Sequence, residues 1–297
     1  MPWHGLDWSA DPLVRFMTLR SSLALACFLA AGAIHPALAV VRGVDSRDAL
    51  GARASTVRVE TSRGELCSGA VIAPEIVLTA AHCLMGGGSI SVVSLDSRFK
   101  ARRQMVVAVL PHPSFVPGTT PRTQPGTDLA LLRLAQPLPG DIEPLTLGSG
   151  LWQGETVTMA GYGLSSENNK RTARRLRETQ LVNAGNYTTQ NTVKVAVDAE
   201  NRGETPGAGA CRGDSGGPVL RGSGARSRDL VGIVSWSSGP LKTQARLICG
   251  GFTAITPVSE YRNWITEGSA RLRAIGSEAP PEQTAEPRAA FSWWFSR

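Results

Sequence analysis

The chain has 297 residues, of which 42% are apolar and 19% charged. That is enough to bury one or two cores, and it excludes an intrinsically disordered or fibrous chain. A formal net charge of +7 permits loose attraction to anionic surfaces, yet no recognition motif accompanies it, so no nucleic-acid partner is expected.

In chain order the first feature is a leader. Arg15 and Arg20 precede the apolar run 23–34, and Pro36 and the small-residue site Ala37-Leu38-Ala39 follow it. Basic, apolar and small residues in that order make a signal peptide over 1–39, with a run too short to anchor in a bilayer. Residues 1–16 are polar and unlike a leader, which makes Met17 an alternative start. A lipid-attachment reading of Cys27 has too few apolar residues in front of it. Removing 1–39 deletes Asp7, Asp11, Arg15 and Arg20, whose charges cancel, so the remainder keeps +7. Four cysteines then remain: Cys67, Cys83, Cys211 and Cys249. The even count suits two disulfides in an oxidising compartment, extracellular or periplasmic, but three pairings are open at this point. Neither Cys-x-x-Cys nor His-Glu-x-x-His spacing occurs, and no metal site is expected.

From Ser55 onward, β-rich runs alternate with turn residues. They are "STVRVE", "GAVIA", "ISVVSL", "MVVAVL", "LALLRL", "ETVTMAG", "TVKVAVD", "GPVL", "LVGIVSW" and "GGFTAI". Many short strands punctuated by Gly, Pro, Asn and Ser predict an all-β sandwich or barrel. The basic run "KRTARRLR", 170–177, reads as a solvated loop. Only "TPVSEYRNWITEG", 256–268, has helical spacing, with Thr256 or Ser259 as cap and Tyr261, Trp264 and Ile265 on one face. Residues 270–297 read as a tail. Its "SEAPPEQTAEP" is a disordered Pro- and Glu-rich linker, and its closing "FSWWFSR" suits either docking on a membrane or partner or folding back on the surface.

Three short segments carry chemistry. "LTAAHC" sets His82 beside Cys83, "TDLALLRL" puts Asp128 ahead of an alternating strand, and "CRGDSGGP" holds Ser215 in a Gly-rich turn. Each alone has a structural reading. Together they are the set that serine nucleophilic catalysis needs. A serine hydroxyl is a weak nucleophile and requires a base, and the unperturbed pKa of histidine lies near neutrality. An aspartate can hold the imidazole tautomer, while glycines let the Gly213 and Ser215 N–H groups converge on a developing oxyanion.

Here the sequence resembles the chymotrypsin/trypsin family of secreted serine endopeptidases. The resemblance covers 40–265 and rests on "CSGAVI", "LTAAHC", "DLALLRL", "GYG", "CRGDSGGP" and "GIVSW". The order His-Asp-Ser separates it from subtilisins and α/β-hydrolases. The resemblance implies two packed six-stranded antiparallel β-barrels with a C-terminal helix, and a protease domain over 40–269. It implies protein or peptide substrates, a monomer and no cofactor. The family's calcium loop has no counterpart, since Asp96 stands alone.

The resemblance also assigns residues. It pairs Cys67 with Cys83 and, because Pro240 stands where the usual partner would, Cys211 with Cys249 across an altered loop. Gly209 and Ala210 fall at the base of the specificity pocket, Ser237 and Gly250 on its walls, and Ser235, Trp236 and Ser237 along the substrate-pairing edge. An uncharged base favours apolar or aromatic side chains. "VVRG" at 40–43 matches the family's mature N-terminus, so the freed ammonium of Val40 is expected to pair with Asp214. The leader cut then doubles as the activating cut. The alternative function is a catalytically silent binding protein on the same scaffold.

Overall fold

A computed structural model describes residues 41–222, 226–243 and 247–275. The leader expected above and residues 276–297 of the expected tail lie outside the described residues, and so does Val40; residues 270–274, expected as tail, are helical instead, because Leu272 is buried in the core.

Two closed six-stranded antiparallel barrels make up the fold. The strands of the first are β2 (Thr56–Thr61), β3 (Leu66–Ala73), β4 (Ile76–Thr79), β5 (Ile90–Leu95), β6 (Ala101–Pro111) and β7 (Ala130–Leu134). They close in the order β2-β3-β4-β7-β6-β5. The second contains β9 (Thr156–Gly161), β10 (Arg177–Thr188), β11 (Thr192–Val197), β12 (Pro218–Arg221), β13 (Asp229–Ser238) and β14 (Phe252–Pro257). Its path β10-β11-β14-β13-β12-β9 closes through the β10–β9 pairing. The short β1 (Val44–Asp45) adds to β10, and β8 (Thr146–Leu147) runs parallel to β13.

Two-residue periodicity explains how one strand serves two cores. In "DLALLRL", Ala130, Leu132 and Leu134 face the interior of the first barrel, where they meet Val57, Val59, Val71 and Val77. Leu129 and Leu131 point the other way. They join Ile76 and Leu78 from their own barrel, Leu220, Leu230 and Ile233 from the second, and Val258, Ile265 and Leu272 from the C-terminal segment. A strand buried on both faces reads as a continuous apolar run, as this one does.

The helix differs from its expectation. Residues 256 and 257 finish β14, with Thr256 opposite Ile233, and a 3-10 turn spans Val258–Tyr261. Helix α1 occupies Arg262–Ala274, and no side chain caps it. Thr256 cannot serve as a cap because its backbone is committed to the sheet. The helix runs on past 268 because Gly268, Ser269 and Leu272 continue the buried face that Ile265 begins. Tyr261 and Trp264 pack against that core and against the ring of His112, at centroid distances of 5.2 and 4.8 Å. None of the described helices is long and apolar enough to cross a membrane.

A buried cation ties the chain's early turn to the first barrel. Arg53, 1% exposed, donates to the carbonyls of Ala49 (2.6 Å), Leu95 (2.9 Å) and Asp141 (2.8 Å) and to the Asp141 carboxylate (3.2 Å). Arg53→Met would leave three carbonyls without their donor, so it is expected to cost about 2–3 kcal/mol of stability. The denaturant midpoint measures it, and turnover by the folded fraction should stay unchanged.

Candidate active site

The segments that carry chemistry meet between the barrels. His82 lies in a 3-10 turn, Ala81–Leu84, directly after β4. Asp128 lies two residues before β7, which pairs with β4 through Thr79 and Ala130. Pairing of the two strands therefore brings their ends together. The Asp128 carboxylate holds His82 at two points, accepting from the His82 backbone N–H at 2.9 Å and meeting Nδ1 at 2.8 Å. Burial pushes the Asp128 carboxyl up, but the adjacent His82 and the hydrogen bonds outweigh that and hold it below its usual range.

The second barrel reaches the same carboxylate. The β13–β14 register shifts between Val234 and Trp236, which leaves Ser235 as a bulge. A bulge re-aims its side chain. The Ser235 hydroxyl donates to Asp128 Oδ2 at 2.5 Å, and its carbonyl accepts from Ser215 Oγ at 3.1 Å. The resemblance assigns Ser235 only to the substrate-pairing edge, and its hydroxyl contact with Asp128 is an addition. No hydrogen bond joins Ser215 Oγ to His82 among the described residues.

Backbone geometry around Ser215 is open. Gly213 has φ of +96°, a conformation that other residues adopt only with strain, and a Cβ there would fall 2.9 Å from the Gly163 Cα. The Gly213 carbonyl accepts from Ser68 Oγ at 2.8 Å. Among the described residues, the N–H groups of Gly213 and Ser215 have no acceptor. Two unpaired N–H groups beside a serine hydroxyl form a small receptor for negative charge.

Between them, Asp214 is fully buried. Oδ1 accepts from the Gly163 N–H at 2.8 Å and Oδ2 from the Cys211 N–H at 2.9 Å. Burial pushes its pKa up to about 7, against the pull of those two N–H groups and the charge of Arg177. No ion pair within 4 Å reaches it among the described residues. Val41, the neighbour of Val40, bridges to Gly209, whose N–H donates to the Val41 carbonyl at 3.2 Å.

Gly209 and Ala210, expected at the base of a specificity pocket, are buried, and the Ala210 N–H donates to Thr253 Oγ1 at 2.9 Å. Gly250 is Gly209's neighbour, since a Cβ on Gly209 would lie 3.7 Å from its Cα. Disulfides join Cys67 to Cys83 and Cys211 to Cys249. Trp236 and Ser237 lie on β13 beside a groove of about 480 Å3, lined by Arg122, Tyr187, Leu241 and Phe252 among others. The Arg122 guanidinium sits 4.8 Å above the Trp236 ring, and Tyr187 meets that ring edge-on at 5.9 Å. The loop carrying Arg122 is clasped to the β10–β11 hairpin: Thr189 Oγ1 donates to the Arg122 carbonyl (3.1 Å) and Asn191 Nδ2 to that of Gly126 (2.6 Å). Sequence reading missed Arg122 and Tyr187 beside Trp236, and no local signal points to them.

The "KRTARRLR" expectation needs one correction. Arg177, its last residue, is 2% exposed rather than solvated. It starts β10, and its Nη1 donates to the Thr172 carbonyl at 2.5 Å.

Comparison with known proteins agrees with this architecture. Residues 43–265 match the Trypsin family model. Human serine protease 56 is 29% identical over 247 residues, covering 75% of this chain and 37% of that protein. Rabbit vitamin K-dependent protein C is 29% identical over 261 residues, covering 77% of this chain and 51% of that protein. The chain thus spans about a third to a half of the length of these relatives. Among solved structures, mouse neuropsin, a serine protease expressed in the limbic system of the brain, superposes with a TM-score of 0.60 at 22% identity, covering 76% of this chain and 98% of that one. A structure of HBP gives 0.59 at 22% identity, covering 82% and 100%. The family model spans most of the chain, which folds into two six-stranded barrels: the chain belongs to the trypsin family of serine proteases.

Proposed function

We propose that the chain is a secreted serine endopeptidase that cleaves after apolar or aromatic residues, with His82, Asp128 and Ser215 as its catalytic residues. One observation carries the reading. Asp128 fastens His82 by both ring and backbone, while the turn at Ser215 leaves two N–H groups unpaired beside the hydroxyl. With Nδ1 committed to Asp128, Nε2 is the nitrogen left to take the Ser215 proton. Ser215 Oγ leaves the Ser235 carbonyl by rotation about one side-chain bond and attacks the scissile carbonyl. The oxyanion that forms is held by the Gly213 and Ser215 N–H groups, each such donor supplying about 3 kcal/mol in the transition state. His82 then passes the proton to the leaving amine, and water releases the acyl group by the reverse path. In this reading, residues 1–39 are a leader, the protease domain expected over 40–269 extends through the helix to Ala274, and only the rest of the 270–297 tail is a segment that catalysis does not need.

Ser215→Ala is expected to abolish hydrolysis and labelling by a fluorophosphonate while leaving the unfolding midpoint unchanged. Labelling that persists in the variant would remove Ser215 from the nucleophile role, and a wild-type chain that neither labels nor cleaves would favour the silent binding protein.

Specificity follows from the pocket base. Gly209 brings no charge, and its neighbour Gly250 adds no side chain. Peptide substrates with Phe, Tyr or Leu before the cut are therefore expected to exceed Arg substrates in kcat/KM. A profile led by Arg or Lys would refute this reading of Gly209.

Activation rests on Asp214. Val41 is already anchored to Gly209, and the buried Asp214 carboxylate lacks a cation within pairing distance among the described residues, which supports Val40 as the donor of an α-ammonium. A chain that keeps its leader has no such charge to offer. Its Asp214, with a pKa raised from 3.8 to about 7, contributes stability below about pH 4 that is lost as pH rises through 7. Once Val40 is free, the pair instead holds until pH passes the raised pKa of the α-amino group, which is about 8 when unpaired. Ala39→Pro, which blocks cleavage, is thus expected to give a thermal midpoint that falls between pH 4.5 and 7.5, and turnover at least about tenfold below that of the cleaved chain. Full turnover by the uncleaved chain would separate leader removal from activation.

A further inference from the structure

Asp214 is fully buried, and so, nearly, is one arginine beside it. Arg177 heads β10, 2% exposed, where its Nε pairs with Asp45 at 3.2 Å. Asp45 itself is part-exposed and also receives Arg175 at 2.5 Å, so it is not a private partner for Arg177. The other end of the guanidinium points inward. Nη1 donates strongly to the Thr172 carbonyl (2.5 Å) and lies 3.4 Å from the carbonyls of Gly163 and Arg175. One side chain thus gathers three carbonyls of the 163–175 loop.

Gly163 is where this reaches the reacting atoms. Its N–H is the donor to Asp214 Oδ1, and its Cα packs so closely on Asp214 and Gly213 that a Cβ would fall 2.5 Å from the Asp214 Cγ. The next residue, Leu164, donates to the Arg212 carbonyl at 2.9 Å. The chain from 162 to 164 is therefore a wall against which the 212–215 turn is built, and Arg177 holds that wall from behind. At 3.4 Å the contact to the Gly163 carbonyl is long for a hydrogen bond, and its hold on that carbonyl is the attraction of a buried positive charge for the carbonyl dipole. Buried ions interact strongly, and among the described residues the charge of Arg177 acts on Asp214 and favours its ionised form.

We propose that Arg177 is a positioning residue for the oxyanion turn: its buried guanidinium fixes the Gly163 backbone, which holds Asp214 and so aims the Gly213 N–H. The proposal rests on the serine-protease reading above for its kinetic consequence, though not for its structural one. Arg177 touches no reacting atom. It acts through Gly163 and Asp214, and it does so whether or not the Val40 amine has arrived.

The test compares Arg177→Met and Arg177→Lys with Arg53→Met, which removes a buried arginine whose hydrogen bonds go to Ala49, Leu95 and Asp141 and not to the 163–175 loop. In Arg177→Met, kcat for a small Phe-peptide ester is expected to fall about tenfold or more with KM within about twofold, because an aimed oxyanion donor acts only in the transition state. Arg177→Lys keeps the charge and should recover most of kcat. Arg53→Met should lose stability and keep kcat. Hydrogen exchange supplies a readout free of turnover: amides of 161–164 and 211–217 should exchange about tenfold faster in Arg177→Met, with β11 unchanged. Unaltered exchange in those two segments would overturn the proposal, as would a kcat that follows stability alike in all three variants. A wild-type chain inert to fluorophosphonate would instead defeat the protease reading, and exchange would still decide the role of Arg177.

Discussion

Everything in the cleft depends on the register between two barrels, because neither holds all of the proposed catalytic residues. His82 and Asp128 come from the first and Ser215 from the second. Their alignment is set by the apolar layer in which Leu129 and Leu131 meet Leu220, Leu230 and Ile233 beneath helix α1. Such packing is short-ranged and dense, so it resists small displacements as well as separation. One polar contact then sets the alignment more finely. Ser235, bulged out of β13, reaches across to the Asp128 carboxylate that already holds His82. A buried carboxylate whose oxygens are all engaged cannot swing to a second geometry without losing a partner.

Much of this was legible in the sequence, for identifiable reasons. Alternating apolar positions marked ten strands, and all ten are present. β4 went unmarked because "IVLT" is buried at all four positions and so shows no alternation. The long β10 was missed because its residues alternate charged, polar and small, giving little apolar contrast. Its burial comes from the barrel around it rather than from its own composition. Arg177 was hidden in the same way, inside a run of cations whose other members are on the surface. The helix was misplaced because Thr256 has the look of a cap, whereas the β13–β14 ladder claims its backbone first.

At the site, the motifs pointed to groups that the fold brings close, while the supporting contacts escaped. Gly163 belongs to "GYG", yet nothing in those three letters tells that its N–H meets a carboxylate fifty-one residues on. Likewise the hydroxyl of Ser68, which bridges the Tyr162 N–H and the Gly213 carbonyl, comes from a strand of the other barrel. Contacts between segments distant in sequence leave no periodic trace. They exist because the fold makes them neighbours.

The clasp at the edge of the groove has a mechanical consequence. Thr189 and Asn191 hold the loop of Arg122 and Gly126, so a hairpin of one barrel is laced to a loop of the other on the side where Trp236 lies. Prising the barrels apart would break both ties in addition to the apolar layer, an extra cost of about 2 kcal/mol. The cleft therefore has a nearly set width. For the proposed endopeptidase this means that a polypeptide folded where it would be cut cannot widen the cleft to suit itself, and has to surrender its own local structure to enter.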